Sequence, residues 1–382
     1  MAKILILANN DVGLYKFRKE LLEELVKENE VYVSLPSGAF IPKIKELGCK
    51  FIETPINRRG TNPIADLKLL INYQKVINSI KPDVVLTYTI KPNVYGGLAC
   101  RFNNVPFIVN ITGLGSSVEN GGLLKKITLN LYKVALKKAT FVFFQNKENH
   151  SLFVENNLVD SEKTKIIPGS GVNTRKFAPA HTNSKSNNMI RFLFIGRIMK
   201  EKGIEEYVKA GQSVISKYPN VEFCVLGPFE EDKYKEIINE NENNRIKYIG
   251  VSSDVREQIK AADCIVNPSY HEGMSNVLLE GGSMEKPLIA SDIPGCREII
   301  EEGYNGYVFE VESAESLEEK LIRFIELDKI EKDLMGKRSR EKIKAEFDRN
   351  KVVDQYKLTI SQVLKSKQKY YTTENKYQMD SK

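Results

Sequence analysis

Short apolar runs alternate with amphipathic segments along the first half of the chain. The runs KILILA, VYVSL and DVVLTY are typical of buried strands, and residues 14–25 repeat leucine and phenylalanine at helical spacing. Further strand-like runs follow in VPFIVNIT and ATFVFFQN, with helical segments between them. Because this alternation builds parallel sheets with helices on both faces, the pattern predicts an α/β, doubly wound, Rossmann-like domain.

The alternation begins again after a polar break, KFAPAHTNSKSNNM, which is typical of an interdomain linker. A chain of 382 residues is also long for one core. We therefore predict a first domain over residues 1–178 and a second over 179–349. A helical segment over 350–365 and a polar tail over 366–382 follow. Ligands of such sheets bind beyond the carboxyl ends of the strands, so a deep cleft between the domains is the expected site.

Composition excludes several classes of protein. With 41% hydrophobic and 28% charged residues the chain is globular rather than disordered. The five cysteines are scattered and never form Cys-x-x-Cys, so we expect reduced core residues of a cytoplasmic protein and no disulfides. With three histidines as well, we expect no metal site. No apolar run is long enough to span a membrane, and we expect no signal peptide before Lys3.

Positive charge is concentrated in the first half. Residues 1–180 contain 25 lysines and arginines against 15 acidic residues, whereas the remainder contains 32 against 35. This asymmetry favours an anionic partner surface for the first domain. A solvated, lysine-rich face is the alternative.

Two carboxylates stand in an apolar setting in HEGMSNVLLEGGSMEKP. Glu272 follows a predicted strand, and Ser275 or Asn276 can cap the next helix. The N–H groups from Met274 onward would then suit a phosphate. Glu280, about one turn later, can accept hydrogen bonds from two hydroxyls, as of a ribose. The adjacent glycines 281 and 282 indicate close approach of another backbone. Two exposed glutamates on an ordinary helix are the alternative.

A second motif, GRIMKEKG, follows the strand MIRFLFI. Gly196 allows a sharp turn, after which Arg197 and Lys202 offer a forked donor and a point charge to a diphosphate. Alone, the motif is equally typical of a basic surface turn.

The first domain offers weaker candidates. Gly13, in the loop after the first strand, would let the backbone approach the donor phosphate, and Asp11 would orient or deprotonate an acceptor hydroxyl or simply cap the next helix. The basic residues expected to meet an anionic acceptor are Lys16, Arg18, Arg58, Arg59 and Lys91. Residues 122–138 form a basic amphipathic stretch in which Leu124, Ile127, Leu131 and Ala135 have the spacing of a core face.

Four motifs in this order give a specific resemblance. The E-x₇-E of residues 272–280, the G-R-x₄-K-G of 196–203, IPGSGVNTRKFAP and SDIPGCREII together resemble the retaining nucleotide-sugar glycosyltransferases of the GT-B fold, glycosyltransferase family four. The stretches ANNDVGLYKFRKELLEEL, TYTIKPNVYGG and NITGLGS resemble one branch of that family. That branch acts on undecaprenyl-diphosphate-linked intermediates of capsule, O-antigen or protein-linked glycans.

The resemblance implies roles for these residues. Arg197 and Lys202 would stabilise the departing UDP, Glu272 would hold the donor sugar and Glu280 the ribose. Gly250 and Val251 would meet the base, and backbone N–H groups of Met274, Ser275 and Asn276 would assist. The family needs no metal or cofactor and retains anomeric configuration. Thr112 stands near the place where many members carry a histidine.

The resemblance also implies the setting of the reaction. We expect transfer of a sugar, favouring an N-acetylhexosamine, from a UDP-sugar to a lipid-linked saccharide. The enzyme would be cytoplasmic and peripheral on the anionic inner face of the plasma membrane. The helix over 350–365 would cross back to the first domain.

Other functions remain as alternatives. A UDP-sugar epimerase of the same fold would need acidic and histidine acid/base residues facing the sugar, and the histidines of this chain do not cluster in the sequence. A glycosyltransferase could also use a soluble acceptor. A dinucleotide-dependent dehydrogenase would need the glycine fingerprint after the first strand, which is absent. Nucleic-acid binding is not expected, since the basic residues are not interleaved with aromatic ones on a known module.

Overall fold

The computed structural model describes residues 1–57, 62–114, 122–179, 189–241 and 245–380, with side chains to Lys367. Its contacts divide the chain into one compact unit of residues 1–170 and 350–382 and another of 171–349. The first unit therefore ends before the predicted boundary at 178. The reason is that Val172 N donates to Phe347 O at 2.9 Å and Phe177 is buried in the core of the second unit.

The first unit is built on a seven-stranded sheet with the order β3-β2-β1-β4-β5-β6-β7, in which every described pairing is parallel. Its strands are β1 (Ala2–Leu7), β2 (Asn29–Leu35), β3 (Lys50–Glu53), β4 (Val84–Tyr88), β5 (Phe107–Ile111), β6 (Phe141–Phe144) and β7 (Thr164–Ile166). Its helices before the second unit are α1 (Asp11–Val26), α2 (Ile41–Glu46), α3 (Pro63–Ile80), α4 (Gly97–Phe102), α5 (Gly122–Leu136) and α6 (Lys147–Glu155).

The second unit repeats the plan with a six-stranded parallel sheet in the order β10-β9-β8-β11-β12-β13. Its strands are β8 (Ile190–Ile195), β9 (Val221–Leu226), β10 (Ile246–Tyr248), β11 (Cys264–Asn267), β12 (Leu288–Ser291) and β13 (Gly306–Phe309). Its helices are α7 (Ile204–Lys217), α8 (Lys233–Asn241), α9 (Arg256–Ala261), α10 (Asn276–Ser283), α11 (Ala314–Glu326) and α12 (Lys329–Glu346).

Both sheets are covered on two faces, as predicted for a doubly wound fold. In β1, Ile4 and Ile6 belong to one apolar cluster and Leu5 and Leu7 to the other, because successive side chains of a strand point to opposite faces. This confirms the predicted fold class. The short strands β7 and β13 were not predicted.

Each sheet has one place where the strand order reverses. The order runs outward from β1 and β4 in the first sheet and from β8 and β11 in the second. In open α/β sheets, the carboxyl ends of the two strands at such a switch point flank a crevice that receives ligands. The loops after these four strands are therefore where binding residues are expected.

The last helix, α13 (Arg349–Asp380), packs on the first unit. Its buried Val352, Tyr356 and Ile360 share a cluster with β1, and the Tyr356 hydroxyl donates to Asn110 Oδ1. Lys367 Nζ lies 2.8 Å from Asp83 Oδ1. The helix continues through the segment predicted as a polar tail from residue 366, so its backbone extends beyond the predicted end at 365.

Candidate active site

The two strongest sequence motifs meet at the switch point of the second sheet. GRIMKEKG follows β8, and the segment that begins with His271 follows β11 after three residues. The two strands are hydrogen-bonded neighbours and run parallel, with Phe194 opposite Val266. Their carboxyl ends therefore lie at the same edge of the sheet, and both motifs are brought to that edge.

An ion pair joins the two motifs. Lys202 Nζ donates to Glu272 Oε1 at 2.6 Å, and the two side chains are 23% and 19% exposed. The sequence predicted a role for each residue but not their direct contact. An ammonium has three N–H donors, so the bond to Glu272 leaves capacity for phosphate oxygens on the same side chain.

Backbone packing fixes the turn that carries Lys202. Gly203 adopts a φ of 72°, and a Cβ there would lie 2.0 Å from the carbonyl oxygen of Pro268. Tyr270 N also donates to Glu201 O at 3.0 Å. The loops after β8 and β11 are thus in backbone contact, and that contact sets where Lys202 and Glu272 meet.

We expect Gly203→Ala to destabilise the second unit by about 3 kcal/mol. Left-handed backbone costs a non-glycine residue about 1–2 kcal/mol, and forcing a methyl group against packed atoms costs about 1–3 more. Gly250→Ala is the matched control, since Gly250 also has positive φ, 86°, but a Cβ there meets no atom within 4 Å. Chemical denaturation of both variants measures the difference, and equal losses would show that Pro268 does not constrain the turn.

A buried polar network supports the start of α10. Ser275 caps the helix by accepting from Leu278 N, and Asn267 Nδ2 donates to Ser275 Oγ at 2.7 Å. Ser275 N donates to Gly295 O at 2.9 Å. This N–H group is therefore engaged within the protein, contrary to the prediction that it assists at a phosphate. Met274 is buried, and Asn276 begins the helix half-buried.

The paired glycines of α10 pack against side chains. A Cβ on Gly281 would lie 2.5 Å from Ile265 Cγ1, and one on Gly282 would lie 3.0 Å from Ile343 Cγ1. The predicted close approach is therefore to β11 and α12 side chains, not to another backbone. Glu280, just before them, is half-buried between apolar neighbours.

The remaining donor-side candidates are more exposed. Arg197 Nη1 lies 3.4 Å from Glu230 Oε1, so the two predicted diphosphate ligands contact different carboxylates. Gly196 N donates to Leu226 O at 3.0 Å, and the turn that carries Arg197 begins at Gly196. Gly250 follows β10, and Val251 is 66% exposed.

Sequence reasoning missed a residue that holds the loop before Glu272. The Tyr270 hydroxyl donates to Glu206 Oε1 on α7 at 2.8 Å. Burial, and after it this hydrogen bond, raise the pKa of Tyr270 well above its usual value, so the phenol remains a neutral donor. The two residues lie 64 positions apart, and no sequence pattern links them.

Cysteine chemistry is disfavoured beside this site. Cys296 is fully buried next to the Asn267 amide, and burial, followed by the nearby Glu272 carboxylate, raises the pKa of its thiol well above the usual value. Within the described ranges no group of three or more histidine, cysteine or acidic side chains could hold a metal ion.

Two first-unit candidates lie in helix α1 rather than in a loop. Gly13 N donates to Asn10 Oδ1 at 2.6 Å, which makes Asn10 the cap of α1 and places Gly13 inside the helix, not in the loop that was predicted to approach the donor phosphate. Asp11 is buried and accepts from Phe40 N at 2.7 Å. Its carboxylate therefore holds the loop before α2.

The predicted basic residues differ in placement. Arg18 is only 5% exposed, with its guanidinium over the rings of Tyr88 and Tyr356 at 5.1 and 5.9 Å, so it is not part of a surface for an anionic acceptor. Lys16 is exposed on α1. Arg58 and Arg59 lie outside the described residues. Lys91 Nζ lies 2.6 Å from Asp66 Oδ1.

A pocket lies at the switch point of the first sheet. Its lining consists of Asn9, Ile56, Thr89, Ile90, Lys91, Thr112 and Gly113. Thr89 has a φ of 71° between β4 and the following helical segment, a conformation that costs a β-branched residue about 1–2 kcal/mol. Its buried hydroxyl makes no hydrogen bond to the described residues. Neither property has a signal in the sequence.

Helix α5 contradicts three of the four predicted core positions and confirms Ala135. Its buried residues are Thr128, Tyr132, Ala135 and Leu136, whereas Leu124, Ile127 and Leu131 are exposed. The spacing was compatible with more than one face, and the tyrosine face packs in the core. Leu124, Ile127 and Leu131 therefore form an apolar surface on α5.

Both halves of the sequence match known protein families. Residues 178–342 match the family described as glycosyl transferases group 1, and residues 3–146 match the family described as glycosyl transferase 4-like. Both descriptions are of glycosyl transferases, and this chain is a glycosyltransferase. The two matches cover both compact units of this glycosyltransferase, including the Lys202–Glu272 pair and the pocket residues.

Two curated relatives extend over most of the enzyme. A Campylobacter jejuni N,N'-diacetylbacillosaminyl-diphospho-undecaprenol alpha-1,3-N-acetylgalactosaminyltransferase is 26% identical over 95% of this chain and 100% of its own. An Escherichia coli UDP-Gal:alpha-D-GlcNAc-diphosphoundecaprenol alpha-1,3-galactosyltransferase is 28% identical over 78% of this chain and 80% of its own.

A solved structure supports the fold. The Anabaena protein HepE in complex with UDP has a TM-score of 0.78 and 19% identity, covering 94% of this chain and 100% of that one. The match confirms the predicted GT-B architecture of two Rossmann-like domains.

Proposed function

We propose that this glycosyltransferase transfers a sugar from a UDP-sugar to a diphosphate-linked saccharide carried on undecaprenol. The observation that carries the proposal is the Lys202–Glu272 pair at 2.6 Å, which joins the two donor motifs at one switch point. The names of both relatives describe enzymes that act on sugars linked to diphosphoundecaprenol. The similar Anabaena structure is a complex with UDP. An N-acetylhexosamine is the favoured donor sugar.

Each donor-side residue has a part in this proposal. Arg197 and Lys202 bind the diphosphate and stabilise the charge that develops on UDP as it departs. Glu272 accepts hydrogen bonds from donor-sugar hydroxyls while Lys202 holds its carboxylate in place. Glu280 binds the ribose hydroxyls, and Gly250 and Val251 meet the base. The proposal assigns no metal and no cofactor, since two cations serve the diphosphate.

The proposed reaction retains anomeric configuration. The bond from the sugar C1 to the diphosphate oxygen breaks, and its electron pair leaves with UDP. The acceptor hydroxyl oxygen bonds to C1 from the same face, and its proton passes to the departing phosphate oxygen. The residues act by positioning and charge, so no covalent sugar–enzyme intermediate is required.

A transfer assay tests this proposal. The purified chain is incubated with UDP-linked hexosamines and a polyprenyl-diphosphate-linked N-acetylhexosamine, and the product linkage is determined by NMR. An α-linked disaccharide supports the proposal. Transfer only to free sugars would overturn the lipid-linked acceptor. Conversion of the UDP-sugar to its epimer without transfer would overturn the reaction class.

We propose further that the first unit binds an anionic bilayer through α3 and α5. Both helices pack against α4 on one face of the first sheet. Helix α5 exposes Leu123, Leu124, Ile127, Leu131 and Val134, and α3 exposes Ile64, Leu67 and Ile71. Exposed lysines accompany them, among them Lys68, Lys126 and Lys133.

This combination is suited to a charged membrane surface. Apolar residues at one helical face can enter the boundary between headgroups and acyl chains, and each nearby lysine adds about 1 kcal/mol of attraction to anionic lipid. None of the described helices meets the length and apolarity of a membrane-crossing helix. The proposed site of action is the inner face of the plasma membrane, where the enzyme binds peripherally.

We expect Ile127→Glu to weaken binding to vesicles of anionic phospholipid by about tenfold or more. Burying one isoleucine contributes about 1.5–3 kcal/mol, and the glutamate adds repulsion. Ile330→Glu on α12 of the second unit is the matched control, since Ile330 is 77% exposed. Cosedimentation at low and high salt measures both. If the two variants bind the vesicles equally well, α5 does not contact the membrane, and the lysines of this face are an ordinary solvated surface.

A further inference from the structure

The loop that carries Glu272 is held on one side by backbone packing. Gly295, in the loop after β12, has a φ of 83°, and a Cβ there would lie 2.7 Å from Gly273 O and 3.0 Å from Glu272 O. Ser275 N also donates to Gly295 O at 2.9 Å. These contacts are made by main-chain atoms, so on this side the course of the loop is set by the fold.

The other side of the loop is held by a side chain. Tyr270 lies two residues before Glu272 and is only 7% exposed. Its hydroxyl donates to Glu206 Oε1 at 2.8 Å, and its main-chain N–H donates to Glu201 O at 3.0 Å. Tyr270 is therefore bonded to the chain on both sides of Lys202, one residue before it and four residues after it.

The carboxylate that accepts from Tyr270 lies at the start of a helix. Glu206 is in the first turn of α7, where free N–H groups favour a negative charge. Its second oxygen, Oε2, is buried and makes no hydrogen bond to the described residues. Because a hydrogen bond to a charged acceptor is stronger than one between neutral groups, the Tyr270 hydroxyl is a strong link between the loop after β11 and α7.

This link bears on the ion pair of the site. Lys202 Nζ and Glu272 Oε1 lie 2.6 Å apart, and the two residues belong to the two segments that Tyr270 joins. Misplacing a group by about 1 Å can lower a rate by about 10²-fold. A shift between the two segments would move the Lys202 ammonium relative to the departing diphosphate, so the link controls a distance that the reaction needs.

We propose that Tyr270 is a positioning residue for sugar transfer, which sets where Lys202 and Glu272 meet through its hydrogen bond to Glu206. The proposal rests on the proposed function and adds a pair of residues to it. Tyr270 acts on the reaction through Lys202, and neither Tyr270 nor Glu206 is assigned a contact with the substrates.

Tyr270→Phe in the full chain should lower kcat for transfer about tenfold, which corresponds to about 1.4 kcal/mol of activation free energy. Phenylalanine keeps the ring and removes the hydroxyl. KM for the UDP-sugar should stay within twofold, because the charge that Lys202 stabilises develops mainly in the transition state. Steady-state kinetics with a UDP-hexosamine and a polyprenyl-diphosphate-linked N-acetylhexosamine measure both constants. An unchanged kcat would overturn the proposal.

Tyr207→Phe is the matched control. Tyr207 follows Glu206 on α7 and is fully buried, and its hydroxyl lies 3.1 Å from the carbonyl oxygens of Phe192 and Cys224. Its removal should lower the unfolding temperature at least as much as Tyr270→Phe does, while kcat of the folded enzyme stays within twofold. Equal losses of kcat in the two variants would show a general effect of stability and overturn the positioning role.

A double-mutant cycle tests the hydrogen bond itself. Glu206→Leu removes the acceptor and should lower kcat as much as Tyr270→Phe, and the double variant should lose no more than either single one. Glu206→Gln retains an acceptor oxygen and should keep kcat within threefold of wild type. If the losses multiply in the double variant, the two residues act separately and the proposal is wrong.

The dependence on Lys202 is tested in a Lys202→Ala background. Tyr270→Phe should lower kcat there by less than threefold, since the group that it positions is gone. A further tenfold loss would show that Tyr270 does not act through Lys202, and this result would contradict the proposal.

Crystal structures of wild type and Tyr270→Phe give a readout that needs no activity. We expect the distance between Lys202 Nζ and Glu272 Oε1 to grow by about 1 Å, the scale of misplacement that affects rates. An unchanged distance would overturn the positioning role whatever the reaction is. A longer distance in a chain without transfer activity would retain that role while the proposed function fails.

Discussion

Replacing Lys202 with alanine should lower kcat for sugar transfer by about 10²- to 10³-fold. The Lys202 ammonium lies 2.6 Å from Glu272 at the carboxyl end of β8, in a setting about one-fifth exposed. Preorganised charge directed at a leaving group acts more strongly in such a setting than in water. Because the charge on UDP develops mainly in the transition state, kcat should fall more than the affinity for UDP.

Two controls give this result its meaning. Lys209→Ala removes another lysine of the second unit that pairs with a glutamate at 2.6 Å, but this pair is about 70% exposed, and we expect kcat to remain within twofold. The double variant Lys202→Ala, Glu272→Gln removes the carboxylate charge left without its partner. If it regains full activity, Lys202 serves only to neutralise Glu272, and its proposed role at the leaving group is wrong.

Replacing Glu280 with glutamine should weaken UDP binding by about 100-fold or more. A hydrogen bond to a charged group contributes about 1.5–3 kcal/mol, and the proposal gives Glu280 two of them, to the ribose hydroxyls. Glutamine keeps the helix propensity and volume of α10, so the fold should be unaffected. Titration calorimetry with UDP measures the change.

The same titration with 2'-deoxy-UDP isolates the ribose contact. Wild type should bind the deoxy ligand more weakly than UDP, whereas Glu280→Gln should discriminate much less between the two. Glu319→Gln on α11, where Glu319 is 70% exposed, is the surface control. An affinity of Glu280→Gln for UDP equal to that of wild type would remove Glu280 from the donor site.

The sequence predicted the fold well because its signals are local. Strands such as IRFLFI and VEFCVL are apolar except for one charged residue each, Arg191 and Glu222, and each is followed by a helical pattern. The donor motifs were predicted for a similar reason. GRIMKEKG and the segment from His271 each follow a recognisable strand, so their place at a sheet edge followed from the chain order alone.

What the sequence could not predict depends on distant partners. The sequence predicts that Arg18 is a surface residue of α1. In the structure Tyr356, far along the chain, covers it. The face of α5 that enters the core is decided by Tyr132, which meets Phe153 of α6 at 5.1 Å, and not by its leucine spacing. Thr89 has a positive φ and accepts from Asn93 N through its carbonyl, and nothing in TYTIKPN signals this conformation.

We propose that the second unit binds UDP and a sugar attached to it. Calorimetric titration of the whole chain with UDP, GDP and NAD, followed by a series of UDP-sugars, tests this binding. We expect UDP to bind and GDP and NAD to bind at least tenfold more weakly, a difference of about 1.4 kcal/mol or more in binding free energy. We also expect one UDP-hexosamine to be preferred. Binding of GDP or NAD in place of UDP would contradict the assigned base pocket and the donor class with it.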